Sequence, residues 1–224
     1  ECSLSSTSVC HALGKCDHAF LETSRSRQIT VPAKRMLIRE GETPAEVFRL
    51  LSGWGARIKI LADGSRQILT FCLPGDFLTV EMLHDVPVTF SVQAVSEMTL
   101  CAFPKKHLIE QSFTQPDLAA FIEQLWAQRV SDLEERLVGL GRLSADRRIA
   151  GLVLDLHRRL KMRGLATGNE FAFPARHEDI ADTLGLTPPH VSRTLTALRQ
   201  DKLLEIGGGR AVILDYGGLE KLAA

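Results

Sequence analysis

"LGLTPPHVSRTLTALR", residues 184–199, has the apolar spacing of an amphipathic helix but carries two adjacent prolines where that helix would begin. Proline is tolerated in a first helical turn, because the N–H it lacks would have no intrahelical partner there. With Thr187 as N-cap, its side-chain oxygen is expected to accept from an orphan N–H, Pro188 takes the first helical position and Pro189 still lies in the first turn. The prolines therefore predict a helix start. A preceding helix over Glu178–Leu184, broken at Gly185, puts Ala181, Leu184, Val191, Leu195 and Leu198 where two steeply crossing helices need small or apolar contacts. This is the spacing of a helix-turn-helix.

Once those residues face inward, His190, Ser192, Arg193, Thr196 and Arg199 populate the outer face of the second helix. Arginine there can make a bidentate contact to guanine, and serine can meet a base edge or a phosphate. Downstream, "LLEIGGGRAVIL" (203–214) reads as strand, glycine turn and strand, so Arg210 would ride on a wing along the DNA backbone. Arg176, Thr187, His190, Ser192, Arg193, Thr196, Arg199 and Arg210 are the candidate DNA contacts. Taken singly, Arg193 and Arg199 are equally well read as solvated surface charges; the succession of helix, glycine turn, capped helix and basic wing is what favours DNA.

Upstream of this head, Ser144-Ala-Asp146 opens a helix that runs through Arg163 and stops at Gly164, and "RGLATGNEFAFP" (163–174) reads as a loop or hairpin. The last fifty or so residues are read as two short helices, a third from the Thr-Pro-Pro start to about Gln200, and the two wing strands. Between Pro116 and Gly141, Phe121, Leu125, Leu133, Leu137 and Leu140 recur every three or four positions, with Ile122, Trp126 and Val130 widening the stripe. A helix this long with a seam near period 3.5 predicts pairing with a second copy; packing on the preceding sheet is the plainer reading.

From Ile29 to Phe103 the pattern is that of strands. Val47, Phe48, Leu50 and Leu51 lead to a turn at Ser52-Gly53, "ARIKIL" (56–61) alternates, "ADGS" (62–65) supplies an Asp-Gly turn and "RQILTFCL" (66–73) alternates back. "LPGDF" (73–77) is another turn, and the stretch 89–104 reads as two further strands. Brief strands with Gly, Pro and Asp punctuation predict a sandwich, barrel or jelly roll. The chain is thus read as α+β: an arm over 1–28, a jelly-roll-like β-roll over 29–115, a dimerisation helix over 116–141 and a winged helix-turn-helix over 142–224.

Composition fits a soluble globular chain of 224 residues, 45% apolar and 24% charged, with no apolar run near the ~20 residues a membrane span needs. No secretory leader is visible, so a cytoplasmic location is expected. Net charge is zero, yet from Arg142 onward thirteen Lys/Arg stand against ten Asp/Glu, while the rest has fourteen against seventeen. The positive side is the one that would meet phosphates. Nothing assembles as a nucleophile with its base and orienter, and Gly207-Gly208-Gly209 precedes a strand rather than a helix, so an enzyme is not expected.

The order of parts, together with "REGETPAEVFRLLSGWGARIKI" (39–60), "LPGDFL" (73–78), "DRRIAGLVLDL" (146–156) and "EDIADTLGLTPPHVSRTLTALRQDKLL" (178–204), resembles the CRP/FNR family of bacterial transcription regulators, in its FNR/FixK-like branch. The resemblance covers nearly the whole chain. It implies a homodimeric activator on a pseudo-palindromic double-stranded DNA site, with RNA polymerase as a further partner. In FNR-type recognition helices a glutamate precedes the Ser-Arg pair; here Pro189 stands in its place, and proline offers no acceptor to a cytosine amino group.

Cyclic-nucleotide binders of this family carry an Arg-Ser/Thr-Ala segment that grips the phosphate. The corresponding stretches here, "GDFLTVEML" (75–83, with Glu81 as a vestige) and "TFSVQA" (89–94), have no arginine, so no cyclic nucleotide is expected. The FNR-type branch holds a [4Fe-4S] cluster on N-terminal cysteines plus one from the roll. Cys101, in "MTLCAFP" (98–104), matches that distant position. Cys2-x7-Cys10 resembles the end of one arm pattern and Cys10-x5-Cys16 the end of another, with Thr7 where a cysteine would complete the latter. Neither is complete. Cys2, Cys10, Cys16 and Cys101 are the candidate ligands; an arm acting as a thiol redox switch, a constitutive binder without a cluster, and haem through His11 or His18 are the alternatives. Cys72 reads as a core residue.

Overall fold

The computed structural model describes residues 27–79, 86–114 and 116–224, and divides into two compact units that meet between Val130 and Ser131. Cys2, Cys10, Cys16, His11, His18 and Glu81 lie outside the described residues.

The first unit begins with β1 (Arg27–Val31), two residues inside the stretch expected to be an arm, followed by β2 (Met36–Ile38), β3 (Glu46–Ser52), β4 (Gly55–Ile60), β5 (Arg66–Cys72), β6 (Ser91–Ala94) and β7 (Met98–Pro104). They form two antiparallel sheets, ordered β1-β7-β3 and β2-β6-β4-β5. Facing residues such as Phe48, Leu50, Met98 and Leu100 from one sheet and Cys72, Phe90, Val92 and Ala94 around the other make the core. Cys72 is thus a core residue, as its strand context implied.

The turn at Ser52-Gly53 is not a hairpin. The chain crosses there from one sheet to the other, since β3 pairs with β7 while β4 pairs with β5 and β6. Gly53 has φ 82°, and a Cβ on it would lie 1.8 Å from the Glu97 carbonyl oxygen, so both the backbone conformation and the close approach require glycine. The Asp-Gly turn does close the β4–β5 hairpin: Asp63 accepts from the Ser65 amide at 2.9 Å and from its hydroxyl at 2.6 Å, and these bonds hold its carboxyl below the usual range. "LPGDF" runs beside β3, with Asp76 accepting from the Leu73 amide at 2.8 Å and its carbonyl accepting from the Leu50 amide.

The expected alternation in "ARIKIL" fails. Ala56, Arg57 and Ile58 are all buried, because the sheet is covered on both faces: Arg57 shares the core side with Val92, and Ala56 and Ile58 lie opposite with Phe71. A helix, α1 (Lys105–Thr114), also follows β7 where the sequence reading extended the roll.

The long helix α2 (Pro116–Arg142) runs as expected and ends one residue later than foreseen. The second unit continues with α3 (Ala145–Met162), the short hairpin β8 (Ala166–Thr167) and β9 (Glu170–Ala172), α4 (His177–Leu184), α5 (Pro188–Gln200), β10 (Leu204–Gly207), β11 (Arg210–Ile213) and α6 (Tyr216–Ala223). The last helix follows the wing, so only one short helix precedes the Thr-Pro-Pro start. α3 buries one face, with Ile149, Leu152, Val153, Leu156, His157 and Leu160, and its N-cap Ser144 makes no bond to a backbone N–H. Instead the Ser144 hydroxyl donates to Asp146 and is the main reason its carboxyl titrates low.

Candidate nucleic-acid interface

α4 and α5 pack as the spacing predicts: Ala181, Leu184, Val191, Leu195 and Leu198 are all buried. The turn between them passes through Gly185 in the left-handed region at φ 62°, where the Leu186 amide donates back to the Ala181 carbonyl at 3.1 Å. At the start of α4, the Arg176 amide donates to Asp179 Oδ2 at 2.9 Å.

The cap at Thr187 differs from expectation. Thr187 is extended and its carbonyl accepts from Val191 N–H at 3.0 Å, yet its side chain takes no N–H. The two prolines explain this: they remove two of the four orphan donors, including the one at the second helical position that a cap oxygen commonly meets. The start signal is therefore steric rather than a side-chain hydrogen bond.

His190, Ser192, Arg193, Thr196 and Arg199 are all exposed on α5, and Thr187 is exposed before it. Thr196 donates its hydroxyl to the Ser192 carbonyl at 2.9 Å, which leaves its methyl and oxygen lone pairs outward. The wing is a tight hairpin in which Gly207 pairs with Arg210 and both Gly208 and Gly209 have positive φ, 59° and 75°. β11 continues into β9 and β8, giving the sheet order β10-β11-β9-β8.

Four arginines among the candidates fall into two groups. Arg176 pairs with Glu178 at 3.3 Å, Arg199 with Glu205 at 3.6 Å and Arg210 with Glu170 at 3.0 Å, all near the surface. Arg193 makes no ion pair or hydrogen bond among the described residues. Its guanidinium is the one in this set already disengaged.

The sequence reading missed His157. It is fully buried on α3, in hydrogen-bonding contact through Nε2 with the Gly168 carbonyl at 2.8 Å and flanked by the rings of Phe171 and Tyr216. This side chain fastens the β8–β9 turn, and through β9 the wing sheet, onto α3. A histidine on the apolar face of a helix pattern was the available signal.

In the roll, Cys101 is buried but stands apart from Cys72. It pairs in register with Arg49 on β3 and Gln28 on β1, and cross-strand partners share a face. The neighbours Leu100 and Ala102 point into the core, so Cys101 and buried Arg49 lie on the opposite face of that sheet. Among the described residues no three His, Cys, Asp or Glu side chains converge as metal ligands. The stretch 89–94 is engaged within the roll: Val92 and Ala94 are core, the Ser91 hydroxyl accepts from the Glu40 amide at 3.0 Å and Gln93 takes a bond from Arg66. One buried cation does enter the roll interior. Arg57 stacks on Phe90 with its guanidinium carbon 3.5 Å from the ring centroid, and burial lowers its pKa to about 10, against a raising effect of Cys72.

A β-roll, a long amphipathic helix and a winged helix-turn-helix together define a DNA-binding transcription regulator. Residues 28–114 match the cyclic nucleotide-binding domain and residues 147–222 the Crp-like helix-turn-helix domain. The transcriptional activatory protein AadR of Rhodopseudomonas palustris is 30% identical over 225 residues, spanning all of this chain and 92% of that protein. The nitrogen fixation regulation protein FixK of Bradyrhizobium diazoefficiens is 31% identical over 227 residues, again all of this chain and 93% of its own length. Among solved structures, FixK2 from Bradyrhizobium japonicum aligns with a TM-score of 0.80 at 27% identity, over 88% of this chain and 97% of that one. The chain belongs to the CRP/FNR family. Among the described residues no helix is long and apolar enough to cross a membrane.

Proposed function

We propose that two copies of this chain pair through α2 and grip an inverted-repeat duplex, with their α5 helices in successive major grooves ~34 Å apart. The observation that carries this reading is the outer face of α5, where Ser192 and unpaired Arg193 stand exposed above a fully buried apolar stripe. Arg193 reads a guanine edge; Ser192, Thr196 and His190 meet base edges or phosphates; Thr187 before the helix and Arg176, Arg199 and Arg210 around it contact the backbone. The dimer acts as an activator, as the name of AadR describes that relative, and RNA polymerase is its further partner in this reading.

The regulated signal is oxygen or redox state, with Cys101 and the arm cysteines Cys2, Cys10 and Cys16 holding a [4Fe-4S] cluster. Cys101 suits one corner of it: a buried thiol on a face separate from the core, with buried Arg49 beside it in register to offset thiolate charge. When bound, the cluster supplies one-electron chemistry at iron and sulfide. The roll takes no cyclic nucleotide, since the stretch 89–94 carries no arginine to meet the phosphate.

Selection of duplexes from a random pool by the anaerobically purified full chain tests the DNA reading; recovery of an inverted repeat is expected, and recovery of no preferred sequence sinks it. Iron and sulfide analysis of the same preparation, alongside Cys101→Ser, tests the sensor. Near four iron per chain, lost together with anaerobic binding in the variant, is expected. Full affinity for the selected repeat without iron instead identifies a thiol switch or a constitutive binder.

A further inference from the structure

Within the second unit two helix ends meet at one side chain. Arg148, in the first turn of α3, donates from Nε to the Leu143 carbonyl at 2.8 Å and from Nη1 to the Leu184 carbonyl at 2.8 Å. Leu143 is the first residue beyond α2, and Leu184 is the last residue of α4, immediately before the Gly185 turn into α5. Carbonyls at such positions have no intrahelical donor and lie at the negative ends of helix dipoles, so a cation there is favoured and bonded at once. The planar fork of a guanidinium fixes two acceptors relative to each other; an ammonium on a flexible stem does not.

A Cβ at Gly185 would lie 3.6 Å from Leu140 Cδ2 and 3.9 Å from Arg148 Nη1, so Leu140 and Arg148 lie close to the helix-turn-helix turn. Beside that contact a cavity of about 250 Å³, bordered by Asp132, Glu135, Gly139, Gly151 and Thr183, separates α2 from α3 and α4. Beside this cleft the two Arg148 bonds tie the end of α2 and the end of α4 to the first turn of α3.

We propose that Arg148 is a positioning residue that sets the direction of α5 relative to the end of α2. It touches no DNA in the arrangement proposed above, on which this inference rests. Two half-sites are gripped together only if both α5 helices hold a fixed angle to the paired α2 helices. Freedom at this joint therefore weakens binding to a full repeat and leaves a single half-site untouched.

The test uses the full chain and Arg148→Lys, which keeps the charge but not the fork, with Arg148→Gln as a second variant. The probes are the inverted repeat selected by the unaltered protein and a duplex carrying one half of it. Affinity for the full repeat is expected to fall about tenfold, with half-site affinity unchanged. Equal loss on both duplexes, or no loss on the full repeat, overturns the proposal. Hydrogen exchange without DNA gives an independent reading: amides at 139–146 and 184–187 should exchange faster together in both variants, while those at 152–160 do not change. Should no repeat be selected in the first place, the dimeric reading fails and exchange alone decides. Joint acceleration then sustains the role of Arg148, and its absence removes it.

Discussion

Helices α2 and α5 carry the same kind of pattern, apolar residues every three or four positions, and meet opposite fates. In α5 the stripe is inside the unit: Val191 is 0% and Leu198 2% exposed. In α2 the stripe is outside: Leu133 is 53% and Leu137 74% exposed, with Val130, Val138 and Leu140 also open. Amphipathic periodicity therefore tells that a face will be covered, and not by what. For α5 the cover is α3 and α4 of the same chain. For α2 the spacing of Val130, Leu133, Leu137 and Leu140 by three, four and three is that of a paired-helix seam, which the proposed pairing would cover with a second copy.

The largest effect should come from charging the seam. Leu133→Glu with Leu137→Glu should raise the dimer dissociation constant at least about 100-fold, roughly 3 kcal/mol, because two carboxylates from each chain would have to be desolvated. Sedimentation equilibrium reads this directly, and an unchanged mass would erase the contrast between the two helices. Next, Leu198→Ala should cost about 2–5 kcal/mol of stability, whereas Val130→Ala in that monomeric background should cost less than about 0.5 kcal/mol. Urea unfolding of both variants compares them, and similar losses would mean that the α2 stripe is covered within one chain.

On the outer face of α5, Arg193→Ala should cost ~1–3 kcal/mol on the selected repeat and relax preference at one base, with no change in dimer mass. Binding to random duplex at several salt concentrations separates the roles: an equal loss there would make Arg193 a phosphate contact. The smallest effect belongs to the joint between the two helices. The Ser144 hydroxyl holds the Asp146 carboxyl low, so its stabilisation is present above the ordinary aspartate range near pH ~4 and fades as pH falls through the lowered value. Ser144→Ala should lower stability by less than about 1 kcal/mol at pH 7, and the gap should narrow as pH falls below the ordinary aspartate range near pH ~4. A gap that persists at low pH would assign Ser144 a different role.

The head was legible because its signals are local. Pro188 and Pro189, Gly185 and the buried spacing of Val191, Leu195 and Leu198 each act within a few residues of themselves. What escaped was non-local. Turn residues mark Ser52-Gly53 as a bend but cannot say that the next strand joins another sheet, because that depends on partners some forty residues away. Arg57 reads as an exposed cation until Phe90 supplies the ring it lies on. Helix α1 buries only Lys105 and Leu108 and leaves Phe113 exposed, so "KKHLIEQSFT" has no helical apolar stripe to read. The candidate contacts on α5 were readable as a face; the pairing of Arg199 and Arg210 with acids from other strands was not.

Those acid partners have a consequence for how the protein searches. Any polyanion that approaches Arg176, Arg199 or Arg210 must first displace a carboxylate, so bulk nucleic acid gains less from the head than its arginine count suggests. Under the proposed DNA reading, dwell time on irrelevant sequence should be shortened, and a cognate site that engages Arg193 as well would be distinguished by the sum. A near-neutral chain can in this way scan a genome without being held by it.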